Sequence, residues 1–344
     1  MTRKALVTLL LVVFAWVGLP ASAPAQDFYE GKTIRIIVGY RAGGGYDTYT
    51  RMIARHMDKH IPGSPNLIVE NMTGAGSMVA TNYIFNRAKP DGLTIGVFAS
   101  GMVREEALGN EGVQFNSDKF GWIGAPTAAT PTCAIMGFTG LKTWDDVRNS
   151  KKPVNFGSTG PGASTHDTPI LVRELAGAPI KLIKGYDGTS AVRAAMQRKE
   201  LDGACWTWES MKATATAMLN AKGDDRLIPF LIEGKHEDPL LKNAAQFTEV
   251  IKDKEDLSIY KGYANAMKFY RPLALPPGAP KERLTTLRTA FNKTLEDPQF
   301  QAAAKKAKLD MTLIKGEEVD QLVDEILSMS PKAKERLKAV LTGD

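Results

Sequence analysis

Cysteine is scarce in this chain. Of 344 residues only Cys133 and Cys205 are cysteines, and no histidine lies near either in sequence, which argues against a thiol nucleophile. Both sit in strand-like runs, "PTCAIMG" and "GACWTWES". There a free thiol acts as a small hydrophobe, whereas an oxidising compartment would allow a bridge; both readings stay open. Histidine is scarce too, with four residues, no pairing to a serine and no G-x-S-x-G elbow. His56 and His60 stand four apart on one predicted helix, but no H-E-x-x-H glutamate or third ligand accompanies them. They are read as solvent-facing, and no metal is expected. Adjacent acids such as Glu105 and Glu106 would point apart on a helix, while Asp145 and Asp146 suit the first turn of a helix after "GLKTW". With so little catalytic material, no enzymatic activity and no cofactor are expected.

Basic blocks are also missing. The formal charge is +6, the charges are interspersed, and no Lys/Arg run carries interleaved aromatics, so neither nucleic acid nor an anionic membrane surface is an expected partner. Phosphate motifs fail one by one: there is no G-x-x-x-x-G-K-[ST], and "GGGYDT", "GAGSMV" and "GPGAST" all lack the third glycine of G-x-G-x-x-G. The one long apolar run, "ALVTLLLVVFAWVGL", is shorter than the roughly 20 residues of a membrane span. It follows Arg3 and Lys4 and precedes "ASAPAQ", which is the layout of a secretory signal peptide over residues 1–25. No Cys follows it, so no lipid anchor is expected, and the remaining chain is expected to be soluble and exported. About 319 residues then remain, enough for two domains, and losing Arg3 and Lys4 takes the charge from +6 to +4.

What is present is a repeated pattern of strand, glycine turn and helix. "KTIRIIVGY" is short and β-branched, "RAGGG" follows, and "TYTRMIARHMDKH" has Ile53, Met57 and Ile61 at helical spacing, with Asp47 placed as its N-cap. "NLIVEN", "MTGAG" and "SMVATNYIFNRA" repeat the unit, with Ser77 as cap, and "KPDGLTIGVFAS" adds a third strand. The pattern returns at "KPVNFGS", "TGPGA", "STHDTPILVRELAG" and again at "IKLIKGY", "DGT", "SAVRAAMQRKE". Trp206 and Trp208 read as neighbours on one strand face, either walling a cleft or filling a core. From Lys281 onward the chain reads as helical, closing on "EVDQLVDEILSMSPKAKERLKAVL". Alternating strands and helices predict parallel sheets in an α/β fold.

Four glycine turns at helix starts have a shared physical meaning. The first N–H groups of a helix lack intrahelical partners and, with the dipole, favour an anion; missing side chains let it approach. In open α/β sheets such loops gather at the carboxyl ends of the strands. The turns are Ala42–Tyr46, Thr73–Ser77, Thr159–Ser164 and Asp187–Ser190. Arg41 and Lys184 are the only bases in or beside them, which favours a small carboxylate over a polyphosphate. His166, just after the third turn, could face ligand or solvent.

These same residues carry a family likeness. "YEGKTIRIIVGYRAGGGYDTYTR", "IVENMTGAGSMVATNYIFNRAKPDGLTIG", "NFGSTGPGASTH" and "FYRPLALPPGAPKERLTTLRTAFNKTLEDPQF" resemble the periplasmic receptors of tripartite tricarboxylate transporters. The resemblance implies a type-2 periplasmic binding protein: two α/β lobes that close over a small organic carboxylate and then dock on inner-membrane transporter subunits. It implies one lobe from residues 26–125 and 268–344, the other from 126–267, and a periplasmic monomer. Ligand contacts would fall on Tyr40, Ala42, Gly43, Gly44, Gly45 and Asp47, then Gly74, Ala75, Gly76 and Ser77. The other lobe would supply Ser158, Thr159, Ser164, Tyr186 and Gly188. The alternatives are a secreted α/β enzyme on a carboxylate-bearing substrate and a sensory binding protein for another small anion. The sequence departs from the family at Met72, Thr73, Ser77 and Asp187, and the stretch from Asn243 to Lys268 is longer than the family's segment.

Overall fold

The computed structural model describes residues 28–234 and 237–343; the predicted signal segment, residues 1–25, lies outside them. Short β-branched runs make the first strands: β1 (Thr33–Val38), β2 (Asn66–Asn71) and β3 (Thr94–Val97). Between and after them come α1 (Gly45–Met57), α2 (Met78–Asn86) and α3 (Gly101–Ala107). β4 (Gly121–Ala125) precedes a crossing to β5 (Pro131–Met136) and the short α4 (Trp144–Arg148). Thr143 and Asp146 close a capping box on α4, the first-turn role read for its acids.

The second series is β6 (Val154–Gly157), α5 (Ser164–Ala176), β7 (Ile180–Ile183), α6 (Thr189–Gln197) and β8 (Gly203–Thr207). It continues through α7 (Trp208–Thr214), α8 (Thr216–Leu219), β9 (Leu227–Ile232), β10 (Ala245–Gln246), α9 (Phe247–Val250) and α10 (Lys254–Ala264). The chain returns in β11 (Leu273–Leu275) and ends in α11 (Lys281–Glu296), α12 (Pro298–Lys306), β12 (Ile314–Lys315), α13 (Gly316–Leu327) and α14 (Pro331–Thr342). Ser330, capping α14, and Pro331 at its first position divide the closing stretch into two helices.

Two six-stranded sheets result, ordered β12-β4-β11-β3-β1-β2 and β10-β9-β5-β8-β6-β7. Each is mixed rather than wholly parallel. β1 is parallel to β2 and β3, and β6 to β7 and β8, whereas β11 and β5 run antiparallel to both of their neighbours. The reason is directional. The parallel strands end at the glycine turns, between the sheets, while β5 and β11 begin there, each just after the chain has crossed. The crossing segments pair with each other: Tyr270 N–H donates to Thr127 O at 2.8 Å and Ala129 N–H to Met267 O at 2.8 Å.

Cys133 and Cys205 face each other across β5 and β8 and form a disulfide. It closes 72 residues of chain, and on the loop-entropy view such a bridge contributes about 2–4 kcal/mol. Cys133→Ala combined with Cys205→Ala should lower the thermal midpoint by roughly 10 °C. A calorimetric scan showing no change would remove the bridge from the account of stability.

Trp206 lies in β8, which ends at Thr207, but Trp208 is the first residue of α7, not a strand neighbour. Thr207 between them turns the chain by capping that helix, and both indoles lie in the core of the second lobe. No helix of the described residues is long and apolar enough to cross a membrane.

Candidate functional site

The four glycine turns meet in opposed pairs across the gap between the sheets. The loop after β1 faces the loop after β7: Arg41 N–H donates to Asp187 O at 3.0 Å, Ser190 Oγ to Ala42 O at 2.9 Å, and Arg193 Nη2 to Gly43 O at 3.0 Å. Gly188 starts α6 against the backbone of Arg41, and Gly44 faces Thr189. The loop after β2 faces the loop after β6, with Gly76 N–H donating to Thr159 O at 2.9 Å. Gly76 has φ +64, and a Cβ placed on it would lie 2.4 Å from Pro161 O. A Cβ on Gly101, the first residue of α3, would lie 2.1 Å from Gly162 O. In this closed arrangement the close approach that these glycines permit is that of one lobe's backbone to the other's.

Hydroxyls fill the interior of the seam. Tyr40 donates to Gly76 O at 2.9 Å, Ser164 Oγ meets Tyr270 OH at 3.0 Å, and Thr159 Oγ1 meets Thr165 Oγ1 at 2.7 Å. Tyr40, Tyr46 and Tyr270 stack as a row, with centroids 4.4 and 5.3 Å apart. The expected contact residues lie on or just behind these loops. The ring of Tyr186, in the loop between β7 and α6, packs on the second lobe's core, and its N–H bonds Ser158 O at 3.2 Å. Gly74 and Ala75, at φ +134 and +46, carry the second loop round to Gly76.

Two capping roles differ from expectation. Gly44, not Asp47, is the N-cap of α1; Asp47 lies in the first turn and reaches back to accept from Gly43 N–H at 3.0 Å. Burial alone would raise its carboxyl, but Arg51, Gly43 N–H and Asn71 hold it below the ordinary range. Ser77 does precede α2, yet its backbone is left-handed at φ +84 and its Oγ accepts from Ala99 N–H at 2.9 Å, tying the loop to the end of β3. His60 is not free in solvent either: Nε2 lies 3.1 Å from Asp297, the N-cap of α12, while His56 packs edge-on against Phe300. No group of three metal-ligating side chains occurs among the described residues.

Three buried features escaped the sequence reading. His166 is buried, and its Nδ1 lies 2.8 Å from Ser158 Oγ, a serine–histidine pair brought together across the third turn. No carboxylate hydrogen-bonds this histidine among the described residues. Burial, with Lys184 behind it, pushes it down to about 4, too weak a base to ionise a serine. Arg104 on α3 pairs with Asp167 on α5, tying one lobe to the other with both side chains fully buried. Burial pushes Asp167 up to about 6 against the pull of Arg104. Burial works to lower Arg104, but Asp167 and Glu105 beside it hold it up. Arg271, on the returning segment, is also fully buried and touches both lobes.

Opposite pH dependences follow. The folded state refuses the proton that an ordinary His166 takes at 6.5, so its contribution to stability is lost as pH falls from 6.5 towards about 4. Asp167 keeps its proton up to about 6 where the unfolded chain releases it at 3.8, so its contribution grows as pH falls through that window. His166→Gln should therefore flatten the acid side of a stability profile between pH 7 and 4.5, and Asp167→Asn should steepen it. Parallel profiles for both variants would show that neither group titrates with folding.

Two mixed α/β lobes, joined by paired crossing segments and closed on opposed βα loops, define the fold of a periplasmic binding protein. BugD superposes with a TM-score of 0.72 at 21% identity, covering 91% of this chain and 98% of that one. MatC from Rhodopseudomonas palustris with bound malate superposes at 0.69 and 19%, covering 90% and 99%. The chain belongs to the tripartite tricarboxylate transporter family of receptors, whose model matches residues 49–337. It is 31% identical over 194 residues to the protein of the TAR-I ttuE–ttuC′ intergenic region of Agrobacterium vitis. That match spans about half of each chain, 54%.

Proposed function

We propose that this chain is an exported receptor that encloses a small organic carboxylate in the seam between its lobes and presents it, unchanged, to inner-membrane transporter subunits. The observation that carries this reading is the pairing of the four glycine turns across the seam, two of them at the starts of α1 and α5, where helix N–H groups lack partners. In this reading the lobes are residues 26–125 with 268–344 and residues 126–267, and the paired segments around Thr127 and Tyr270 are the hinge. One carboxylate lies on Gly43, Gly44, Gly45 and the loop of Gly74, Ala75, Gly76 and Ser77. Ser158, Thr159, Ser164 and Gly188 close over it. The receptor works as a periplasmic monomer after loss of residues 1–25. A ligand shifts the open–closed equilibrium only as far as it prefers the closed form. Family membership and the malate bound by MatC support a carboxylate cargo.

The test is native mass spectrometry of the freshly purified protein, followed by thermal-shift measurements with malate, adipate and citrate. A one-to-one complex, with a midpoint raised by roughly 5 °C at a hundredfold excess over Kd, is expected. No shift with any acid, or conversion of the acid to product, overturns the reading.

A further inference from the structure

Arg271 is a charge without a counter-charge. It is 1% exposed, and among the described residues its side chain has one hydrogen bond, from Nη2 to Thr207 Oγ1 at 3.3 Å, a long one. Nε and Nη1 are buried with no acceptor, and no carboxylate pairs with the guanidinium among the described residues. Glu209, buried on the neighbouring α7, is taken by Thr130 N–H at 3.1 Å. Tyrosine faces surround the cation, with centroids at 4.1 Å for Tyr49, 4.8 Å for Tyr270 and 5.5 Å for Tyr46. Ring faces offset part of the loss of water but accept no in-plane N–H bond. Leaving a buried charge unpaired is among the most costly arrangements a core can hold.

The position of this cation matters as much as its isolation. A Cβ placed on Gly45, the first residue of α1, would lie 3.0 Å from Arg271 Nη2 and 2.2 Å from Ser210 Oγ. The guanidinium therefore lies against the start of a 13-residue helix, whose first N–H groups have no intrahelical acceptors. One partner would satisfy both sides: a planar, ionised carboxylate taking the guanidinium fork on one face and the α1 amides on the other. Arg271 also sits beside the hinge. It follows Tyr270, whose N–H pairs with Thr127 O, and its own backbone is left-handed at φ +61. In this arrangement the cation is buried between Tyr49 of one lobe and Thr207 of the other.

We propose that Arg271 is the fixed cation of the ligand site, pairing with the carboxylate that the first turn of α1 holds, so that only an ionised carboxylate completes the closed form. This rests on the receptor function proposed above and names its charge specificity. Two measurements on one set of proteins separate the two. Wild-type protein is titrated calorimetrically with malate, adipate, citrate and their methyl esters; binding of no acid overturns both readings. With whichever acid binds, Arg271→Gln should lose at least roughly 100-fold in affinity, and Arg271→Lys about tenfold, because lysine keeps the charge but not the fork. The free Arg271→Gln protein should melt no lower than wild type, since an uncompensated buried charge has been removed. A lowered midpoint with unchanged affinity would make Arg271 a structural clamp and overturn the proposal. Should the variants fail to fold, a crystal structure of the wild-type complex decides. A ligand oxygen within hydrogen-bond distance of Nε or Nη1 supports the proposal, and a ligand bound with those nitrogens still bare overturns it.

Discussion

Gly76→Val should leave each lobe folded and stop the two from closing. Gly76 N–H donates to Thr159 O, its carbonyl accepts from Tyr40, and a Cβ on it would meet Pro161 O at 2.4 Å and Gly160 O at 2.8 Å. Both obstacles are backbone, so no side chain can swing aside. A valine at φ +64 adds local strain of about 1–2 kcal/mol. The lobes can relieve the clash by opening, because the seam is where the contact lies. Solution scattering should show a larger radius of gyration than wild type, circular dichroism should be unchanged, and affinity for any cargo acid should fall at least roughly 100-fold. Gly31→Val is the control, since it has φ +66 but nothing within 4 Å of its added Cβ. If Gly76→Val closes and binds as wild type does, the seam cannot be the working interface.

The strand, turn and helix order was legible in the sequence because its signals are local. "KTIRIIV" and "NLIVEN" are short β-branched runs, and glycines stop them where β1 and β2 end. Caps were less legible. Asp47 looked like the N-cap of α1, but Gly44 holds that position and glycine leaves no side-chain mark; Asp47 works instead from inside the first turn. Ser77 misled for a related reason, since a serine before a helix usually caps it, whereas here its left-handed backbone turns the hydroxyl to Ala99.

What stayed hidden depends on distance along the chain. Arg104 and Asp167 are 63 residues apart, and Arg271 and Thr207 are 64 apart. Neither arginine lies in or beside a glycine turn, so the search for bases there stopped at Arg41 and Lys184, both of them exposed, although Arg271 stands inside the quoted run "FYRPLALPPGAP". The disulfide is a similar case: two strand cysteines could be read off, but only the register of β5 on β8 sets them opposite. The stretch from Asn243 to Lys268 was visible as an extension without a role. Its helix α10 places Tyr263 under Arg104, 4.8 Å from the ring centroid, and bonds Tyr263 OH to Thr168 Oγ1 at 2.6 Å. The extra segment therefore roofs the ion pair between the lobes.

That ion pair gives the second large effect. Arg104→Met should destabilise the closed protein by about 3–5 kcal/mol, the usual consequence of removing one partner of a buried pair. Asp167 would be left fully buried beside Glu105, whose carboxyl is itself pushed up by burial and by Asp167. Two buried acids without a cation can escape in two ways. The lobes can part, so that α5 draws Asp167 into water, or Asp167 can take a proton. Losing Arg104 lifts Asp167 above the value of about 6 that it has in the wild type, so the first route should prevail at alkaline pH, and scattering at pH 9.5 should show an opened molecule. At pH 5, below the value of about 6 that Asp167 already has with Arg104 present, the neutral acid should let the variant close again. Arg104→Met combined with Asp167→Leu removes both charges and should regain most of the lost stability, because a well-packed apolar pair often matches a buried ion pair. A single variant as stable and as closed as wild type at pH 9.5 would mean that the pair contributes nothing to holding the lobes together. A double variant no better than the single one would place the effect in packing against Tyr263 rather than in charge.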